Sequence, residues 1–307
     1  MKDVGMKPES YRTAIATGIL HAPPHCIELL RNGNTDKGDA LKTARIAGIL
    51  GAKRTDELIP LCHPLPIYRA DVEYELEEAH VVITAVVETI GPTGVEMEAL
   101  TAVSLAGLTL YDMLKPHCEP EELCLDQVKL GQKKGGKSHF TRVLKEPLPA
   151  SVIVLSDTVA SGKKADTAGQ NVMEILEEAN FGYIQYQVIP DSPEQLKAFI
   201  EQQKNDYPLI LTVGGTGLGP KDLTVETIQP LLTREIPGLM EAARSFGQRR
   251  TPYAALSRGV AGYIENSLIL TLPGSRQGAK ESLMAILPAL VHLFDVQKNI
   301  PHAGGYE

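Results

Sequence analysis

The sequence predicts two domains of different fold class, an α+β domain followed by an α/β domain. A chain of 307 residues is longer than one typical compact domain, so two domains are expected. The pattern changes at EPLPA, residues 146–150, where two prolines separate a polar stretch from an apolar run and interrupt regular structure. We therefore assign residues 1–146 to the first domain and residues 150–307 to the second.

The first domain opens with a segment that we interpret as irregular, and regular elements follow it. A helix is indicated over residues 38–52, and alternation over residues 71–88 indicates a hairpin of two strands. An apolar helix over residues 94–115 and a strand over residues 123–130 complete the domain. This order predicts an antiparallel sheet, ferredoxin-like, with helices on one face.

The second domain alternates between short apolar strands and amphipathic helices. The predicted strands are residues 151–156, 183–189, 208–213 and 267–273, and the predicted helices are residues 166–180, 192–204 and 278–294. Such alternation is typical of a doubly wound, mostly parallel sheet. Ligands of these sheets bind beyond the carboxyl ends of the strands, so the loops that follow the strands are the candidate site.

Composition excludes several functional classes. A net charge of −8 argues against a dedicated nucleic-acid binder. Apolar runs stay well short of the roughly 20 residues that span a bilayer, and the first residues lack the apolar core of a signal peptide. Four cysteines without a CxxC motif indicate neither a disulfide scaffold nor a zinc site. We expect a cytoplasmic protein without membrane contact.

The apolar helix over residues 94–115 carries charges at both ends. Such a helix is normally buried, and acids and lysines are rarely buried without partners. Glu98 near the start and Asp112 near the end are 14 positions apart, which is roughly 21 Å at 1.5 Å per residue. One small site cannot easily touch both ends within a chain, whereas antiparallel pairing across a two-fold axis brings opposite ends together. We therefore expect active sites at subunit interfaces.

Two other motifs have weaker interpretations. GQKKGGKS at residues 131–138 fits the P-loop pattern, but a P-loop opens a helix after its last residue, and here a proline boundary follows too soon. A GTP-binding regulator is therefore the minor alternative, and the lysines indicate either an anion site or a solvated basic tail. Cys62 and His63 cannot act on each other directly, because adjacent residues of an extended chain point to opposite faces.

Three segments of the first domain closely resemble the MoaC family, cyclic pyranopterin monophosphate synthase. They are KGDALKTARIAGILGAKRTDELIPLCHPLPI from Lys37, GPTGVEMEALTAVSLAGLTLYDMLK from Gly91 and KKGGKS from Lys133. The resemblance implies a hexamer that rearranges a cyclised GTP derivative, 3′,8-cyclo-dihydro-GTP, into cyclic pyranopterin monophosphate and releases pyrophosphate.

The same resemblance implies roles for individual residues. Substrate contacts would be Leu61, Cys62, His63, Met97 and Glu98, and phosphate contacts would be Arg12, Lys37, Lys133 and Lys137. Asp112 and Lys115 would be catalytic, moving protons with pKa values tuned by proximity and burial. The alternative for this pair is an ordinary i,i+3 helix contact of small energetic worth.

The second domain resembles the MoaB/MogA family, molybdopterin adenylyltransferase-like proteins. The matching pieces include LSDTVASGKKADTAG, LILTVGGTGLGPKDLTVE, LSRGVAG and LILTLPGSRQGAKESL. The resemblance implies transfer of AMP from ATP to molybdopterin, with Mg²⁺ as the expected cofactor. The alternative is a non-catalytic module that binds pterin and forms trimers.

The implied site of this domain follows from the glycine-rich segment after a strand. Gly214, Gly215 and Gly217 let backbone N–H groups approach a phosphate, and Thr216 adds a hydroxyl. Asp222 would be catalytic and hold Mg²⁺, which takes one or two carboxylates together with phosphate oxygens. The further candidate contacts are Asp191, Ser275 and Arg276. The alternative for Asp222 is a helper at the start of the next helix, near Thr224.

Overall fold

The computed structural model describes residues 1–33, 35–136 and 140–297. The chain divides into two compact units, Met1–His139 and Phe140–Glu307. The division precedes the boundary proposed at residues 146–150 because Leu144 is buried in the core of the second unit. Its backbone N–H donates to the carbonyl of Ala179 at 3.0 Å. The prolines therefore lie inside the second unit and do not form a linker between the two.

The first unit is an antiparallel sheet with helices. Its elements are β1 Ser10–His21, α1 Pro24–Asn32, α2 Ala40–Lys53, α3 Thr55–Leu58, β2 Arg69–Leu76, β3 His80–Gly91, α4 Glu96–Leu114 and β4 Cys124–Lys134. The strand order is β2-β3-β1-β4, and each neighbouring pair is antiparallel. The predicted α+β architecture is confirmed; the ferredoxin-like description remains a prediction, which this strand order supports.

Strand β1 corrects the expectation of an irregular start. It spans 12 residues and is a central strand, paired with both β3 and β4. Its buried positions are Ala14, Ala16, Gly18 and Leu20, and alanine and glycine are depleted in strands. A Cβ at Gly18 would lie 2.7 Å from the Val103 side chain of α4. The close approach of α4 therefore selects small residues, which removes the usual strand signal.

Helix α4 is the centre of the first core. Ala99, Ala102, Val103, Ala106 and Leu110 are fully or almost fully buried, as the apolar pattern predicts. Helix α2 packs against α4 through small residues. A Cβ at Gly48 of α2 would lie 2.9 Å from the Ala102 carbonyl oxygen and 2.8 Å from the Val72 side chain. The two helices can lie this close only because Gly48 has no side chain.

The second unit is a six-stranded, mostly parallel sheet. Its elements are β5 Pro149–Leu155, α5 Asp157–Ala160, α6 Ala168–Glu178, β6 Tyr183–Ile189, α7 Pro193–Gln203, β7 Leu209–Val213, α8 Thr224–Ile228, β8 Arg234–Glu235, α9 Pro237–Gln248, β9 Ala261–Ile264, β10 Ser267–Leu272 and α10 Arg276–Gln297. The order is β6-β5-β7-β10-β9-β8. The first four strands are parallel to one another, β9 is antiparallel to β10, and β8 is antiparallel to β9.

Helices cover both faces of this sheet. Val152 and Val154 of β5 belong to one apolar cluster, together with residues of α6, α9 and α10. Ile153 and Leu155 belong to another, with residues of α7 and α8. Successive residues of a strand point to opposite faces, so the sheet lies between two helical layers and the doubly wound prediction is confirmed. In the part of the chain that the structure describes, no helix is long and apolar enough to cross a bilayer.

We predict that Gly48→Ala destabilises the first unit although alanine is the better helix former. The gain in helix propensity is at most about 1 kcal/mol, whereas forcing atoms into a packed contact costs about 1–3 kcal/mol. Calorimetric or denaturant unfolding of the full chain measures the change. Gly238→Ala in α9 is the control, because a Cβ there meets nothing within 4 Å; this variant should be neutral or more stable. An unchanged or raised stability of Gly48→Ala would contradict the packing argument.

Candidate functional site

The last turn of α4 presents a carboxylate held between two lysines. Lys37 Nζ lies 2.6 Å from Asp112 Oδ2, and Lys115 Nζ lies 2.8 Å from Oδ1. Lys37 also donates to the Asp112 main-chain carbonyl at 3.0 Å, which anchors the segment before α2 to the end of α4. The three side chains are about half exposed. The structure therefore brings the two predicted catalytic residues together and adds Lys37, which the resemblance had placed among the phosphate contacts.

These ion pairs lower the pKa of the aspartate and raise the pKa of Lys115. Hydrogen bonds from Lys115 and then Lys37 lower the pKa of Asp112 to about 2, and the Asp112 carboxylate raises the pKa of Lys115. The predicted tuning by burial is minor, because both side chains are about half exposed. At neutral pH the aspartate is therefore ionised and the lysine is protonated.

Basic residues gather at the opposite end of α4. Arg12 of β1 donates to the carbonyls of Gly91 and Pro92, at 3.3 Å and 3.4 Å, and its burial lowers the pKa of the guanidinium. Lys133 of β4 lies 3.2 Å from a carboxylate oxygen of Glu96. Helix N-termini favour anions, so Arg12 and Lys133 add to a region that can receive phosphate.

Glu98 is a buried acid in this region. It is only 4% exposed, and burial, with smaller contributions from nearby Glu96 and Asp56, raises the pKa of its carboxyl to about 7. Burial raises the pKa of the Cys62 thiol as well, and the charge of Glu98 adds to this shift. The charge of Glu98 acts on Cys62, so the two side chains lie near each other at the start of α4.

Three other predicted substrate contacts near the start of α4 are Leu61, Met97 and His63. Leu61 is 71% exposed and Met97 is 39% exposed, so both present apolar surface to a ligand. His63 Nε2 lies 2.8 Å from the Lys2 carbonyl oxygen and so ties the first residues of the chain to this end of the unit. Lys137 lies outside the described residues.

The structure keeps the two ends of α4 apart. Glu98 and Asp112 lie on one continuous helix, roughly 21 Å apart at 1.5 Å per residue. Arg12 and Lys133 share the end of Glu98, whereas Lys37 and Lys115 share the end of Asp112. The predicted set therefore forms two separate clusters within the chain, one at each end of α4.

The P-loop interpretation of GQKKGGKS is wrong. Its first four residues, 131–134, are the end of strand β4, and residues 132–134 pair with β1. A phosphate-binding loop would leave the sheet at that point and present its backbone N–H groups to a ligand.

In the second unit, the loop after β7 forms a tight glycine turn. Gly214 and Gly215 have φ angles of 113° and 66°, which favour glycine. A Cβ at Gly214 would overlap the Leu155 carbonyl oxygen, and one at Gly215 would overlap the Thr224 hydroxyl. Thr224 donates that hydroxyl to the Gly214 carbonyl at 2.9 Å. We call residues 214–222 the glycine loop.

A cavity of about 410 Å³ opens beside the glycine loop. Its lining includes the predicted residues Gly215, Thr216, Gly217, Asp222 and Ser275. The opposite wall comes from α9, α10 and the segment 251–257. These five predicted residues are thus brought together at the carboxyl ends of β7 and β10, as the doubly wound fold predicts.

Asp222 stabilises its own loop, and its side chain does not cap the next helix. Its Oδ2 accepts a hydrogen bond from the Gly219 N–H at 2.8 Å. The N-cap residue of α8 is Leu223, and no side chain caps that helix. The carboxylate therefore lies on the cavity wall, where a ligand can reach it.

Three predicted residues of this unit, Gly214, Asp191 and Arg276, are not part of the cavity lining. Asp191 and Asp157 bond each other's backbone N–H groups reciprocally, at 3.1 Å and 3.2 Å, and Lys221 of the glycine loop lies 2.5 Å from Asp157. Arg276 donates to the side-chain oxygen of Asn171 at 2.9 Å once that amide is oriented to satisfy its neighbours. Arg276 is thus directed toward α6.

The comparisons with known proteins agree with this arrangement of two units. Residues 1–136 match the MoaC family, and residues 151–292 match the family described as Probable molybdopterin binding domain. A Molybdenum cofactor biosynthesis bifunctional protein of Chlorobaculum tepidum is 40% identical over 304 residues, covering 99% of this chain and 96% of that protein. The chain belongs to this bifunctional family.

Other relatives match the whole chain or its first half. A bifunctional protein of the same name from Synechococcus elongatus is 37% identical, covering 98% of each chain. A Cyclic pyranopterin monophosphate synthase of Thermomicrobium roseum is 49% identical over 140 residues, covering 45% of this chain and 83% of that protein. We refer below to the MoaC unit and the MoaB/MogA unit of the bifunctional protein.

Sequence reasoning missed residues that hold the site of the MoaB/MogA unit. Arg258 donates to the carbonyls of Gly217 and Asp222, both at 2.8 Å. Lys221 joins the loop to Asp157. All three lie inside the motifs that carry the family resemblance, LSRGVAG, GLGPKD and LSDTVASG. Their positions in those motifs were the available signal, but contacts between distant loops are not visible in a single sequence.

We predict that Glu98 makes the stability of the MoaC unit fall as pH rises. The folded pKa of about 7 is above the ordinary value of 4.5, so between these values the folded state holds more protons than the unfolded state and loses stability with rising pH. Glu98→Gln removes this dependence. The stability of the wild type relative to the variant should fall by up to about 3 kcal/mol between pH 4.5 and pH 8, measured by unfolding at each pH.

Glu73→Gln, at an exposed position of β2, is the matched control and should follow the wild type. A difference between wild type and Glu98→Gln that stays constant with pH would show that Glu98 is ionised in the folded protein.

Proposed function

We propose that the bifunctional protein is an enzyme of molybdenum cofactor biosynthesis with two activities. The MoaC unit converts the cyclised GTP derivative 3′,8-cyclo-dihydro-GTP into cyclic pyranopterin monophosphate and pyrophosphate. The observation that carries this proposal is the Asp112 carboxylate, held between Lys37 and Lys115 at an exposed helix end. The Thermomicrobium roseum relative of this unit is named as such a synthase, which supports the same conclusion.

The proposed roles follow from charge. Lys115 gives a proton to the substrate during ring opening or closure, and Asp112 stabilises positive charge and holds Lys115 in position. Arg12 and Lys133 bind the triphosphate and stabilise the departing pyrophosphate. Glu98, Met97 and Leu61 contact the ring system. Each role uses the charge or the exposure that its side chain has in the folded chain.

We propose further that each site combines two chains. The phosphate end and the proton-transfer end of α4 are roughly 21 Å apart, so a substrate bound at one end does not reach the other end of the same helix. Antiparallel pairing of two MoaC units across a two-fold axis brings opposite ends together. A hexamer built from such pairs contains six equivalent sites.

We predict that Asp112→Asn and Glu98→Gln, from opposite ends of α4, complement each other. Each variant alone should lose about 100-fold or more in product formation, as expected for a proton-transfer or positioning residue. Co-expressed or co-refolded chains should recover part of the activity, because a mixed interface contains one site without either substitution. Release of pyrophosphate and the pterin product measure turnover, and solution mass measures assembly.

Asp71→Asn is the matched control for the aspartate. Asp71 pairs with Arg45 at 2.8 Å and lies outside the proposed site, so its variant should keep full activity. Turnover at the wild-type rate by Asp112→Asn would reject the catalytic role of Asp112. Verified mixed assemblies that recover no activity would reject the shared site.

For the MoaB/MogA unit, we propose transfer of AMP from ATP to molybdopterin, with release of pyrophosphate. The support is the cavity that Asp222, Thr216 and Ser275 line beside a positive-φ glycine turn. Backbone N–H groups of such a turn form an anion-binding concavity. The volume of about 410 Å³ lies in the range of small-molecule sites.

The residues present are compatible with Mg²⁺. Among the described residues no group of three or more His, Cys, Asp or Glu is arranged to hold a metal. The protein would therefore contribute one carboxylate, Asp222, and the nucleotide phosphates the other ligands, which is the usual arrangement for this ion. Mg²⁺ held there would neutralise charge on the phosphates during AMP transfer.

One observation favours the second candidate, a unit that binds pterin without turnover. The Asp222 carboxylate already accepts a hydrogen bond from Gly219, so it has a structural use that needs no catalysis. Both candidates predict binding of molybdopterin, and only the first predicts transfer of AMP.

We predict that Asp222→Asn lowers AMP transfer by about 100-fold or more, since one removed charge-stabilising group typically costs that much. Molybdopterin binding should change little. Formation of adenylated molybdopterin from labelled ATP measures transfer, and equilibrium titration measures binding. Asp206→Asn, at an exposed position in the turn after α7, is the control. Absence of transfer by the wild type with intact pterin binding would favour the non-catalytic candidate.

A further inference from the structure

Arg258 closes the glycine loop in a way that neither unit's proposed chemistry explains. Its guanidinium donates to the carbonyl of Gly217 from Nε and to the carbonyl of Asp222 from NH2, both at 2.8 Å. These two carbonyls are at opposite ends of the segment 217–222. A planar guanidinium with several fixed donors can bridge two acceptors in this way, whereas an ammonium group cannot do so with the same geometry.

A carboxylate fixes the orientation of this guanidinium. Arg258 NH1 forms an ion pair with Glu226 of α8, and this contact lowers the pKa of the Glu226 carboxyl. The backbone N–H of Arg258 also donates to the Thr216 carbonyl at 3.2 Å. Arg258 is therefore bound to both ends of the segment, to the helix that follows it and to the residue that precedes it.

Within the segment 217–222, the other contacts are weaker anchors. The bond from Gly219 to the Asp222 carboxylate lies within the loop and does not fix it to the rest of the unit. The Lys221–Asp157 pair lies at the surface, where the lysine side chain is 75% exposed, and exposed pairs contribute little. The side chain of Arg258 is only 30% exposed, which makes it the better-shielded anchor.

We propose that Arg258 is a positioning residue that holds the Asp222 carboxylate in the cavity wall. The proposal rests on AMP transfer as the function of this unit. Arg258 follows directly on the segment 251–257, whose Tyr253 and Ser257 also line the cavity. The residue that holds the Asp222 end of the loop is therefore itself fixed next to the cavity lining.

The test compares Arg258→Gln and Arg258→Lys with the wild type in the full chain. Amide hydrogen exchange at residues 217–223 should be faster in Arg258→Gln, and the lysine variant should be intermediate. The kcat of AMP transfer should fall by about 100-fold in Arg258→Gln, as expected when a reacting group is displaced by about 1 Å, while the KM for molybdopterin changes little. Arg234→Gln is the matched control, because Arg234 contacts the Tyr263 ring, away from the loop.

A double variant separates positioning from general damage. Asp222→Asn with Arg258→Gln should be no slower than Asp222→Asn alone, since Arg258 acts through Asp222. The proposal is overturned if amide exchange at residues 217–223 is as slow in Arg258→Gln as in the wild type. It is also overturned if Arg258→Gln lowers the kcat of AMP transfer by the same factor with Asp222 and with Asn at that position. Wild-type protein that transfers no AMP would reject the proposed function, and the exchange comparison would still decide whether Arg258 holds the loop. Thermal unfolding verifies that each variant is folded.

Discussion

The close packing of α4 on the sheet and on α2 is the constraint on which the MoaC unit depends. The contact requires residues without bulk on the opposing surfaces, namely Gly18 on β1, Gly48 on α2 and Gly107 on α4 itself. A Cβ added at any of these three glycines would lie within 3 Å of a neighbouring atom. The helix therefore packs closely along its buried face. Its charged residues lie only at its two ends.

The elements around α4 supply each end with a different set of charges. Strands β1 and β4 bring Arg12 and Lys133 to the start of the helix, and the segment before α2 brings Lys37 to its end. Stability does not account for the second cluster, because ion pairs between half-exposed side chains add little. Two ammonium groups on one exposed carboxylate fit the charge that the proposed reaction needs.

The MoaB/MogA unit arranges its site by a different principle, through backbone carbonyls and N–H groups. Gly214 and Gly215 adopt positive φ angles, the Asp222 carboxylate bonds a backbone N–H, and Arg258 bonds two backbone carbonyls.

Contacts of this kind, together with the burial of each element, explain which features the sequence predicted and which it did not. The apolar pattern identified α2 and α4, each of which buries an apolar face. Continuous apolar runs identified the parallel strands, which helices cover on both faces. The apolar pattern missed β1, whose inward residues are Ala14, Ala16 and Gly18, and it cannot identify partners that meet through loop closure.

The two carboxylates of α4 differ in protonation because their environments differ. The pKa of Glu98 is raised to about 7 by burial, whereas that of Asp112 is lowered to about 2 by two lysines. Pairs of titratable groups whose pKa values are pushed apart are the usual sign of separate acid and base roles. At neutral pH Glu98 therefore retains a proton for part of the time, and Asp112 does not. Under the proposed pairing of two chains, a site would combine two carboxyl groups that come from different environments in their own chains. The length of α4, which separates the two groups within one chain, thus also keeps their environments distinct.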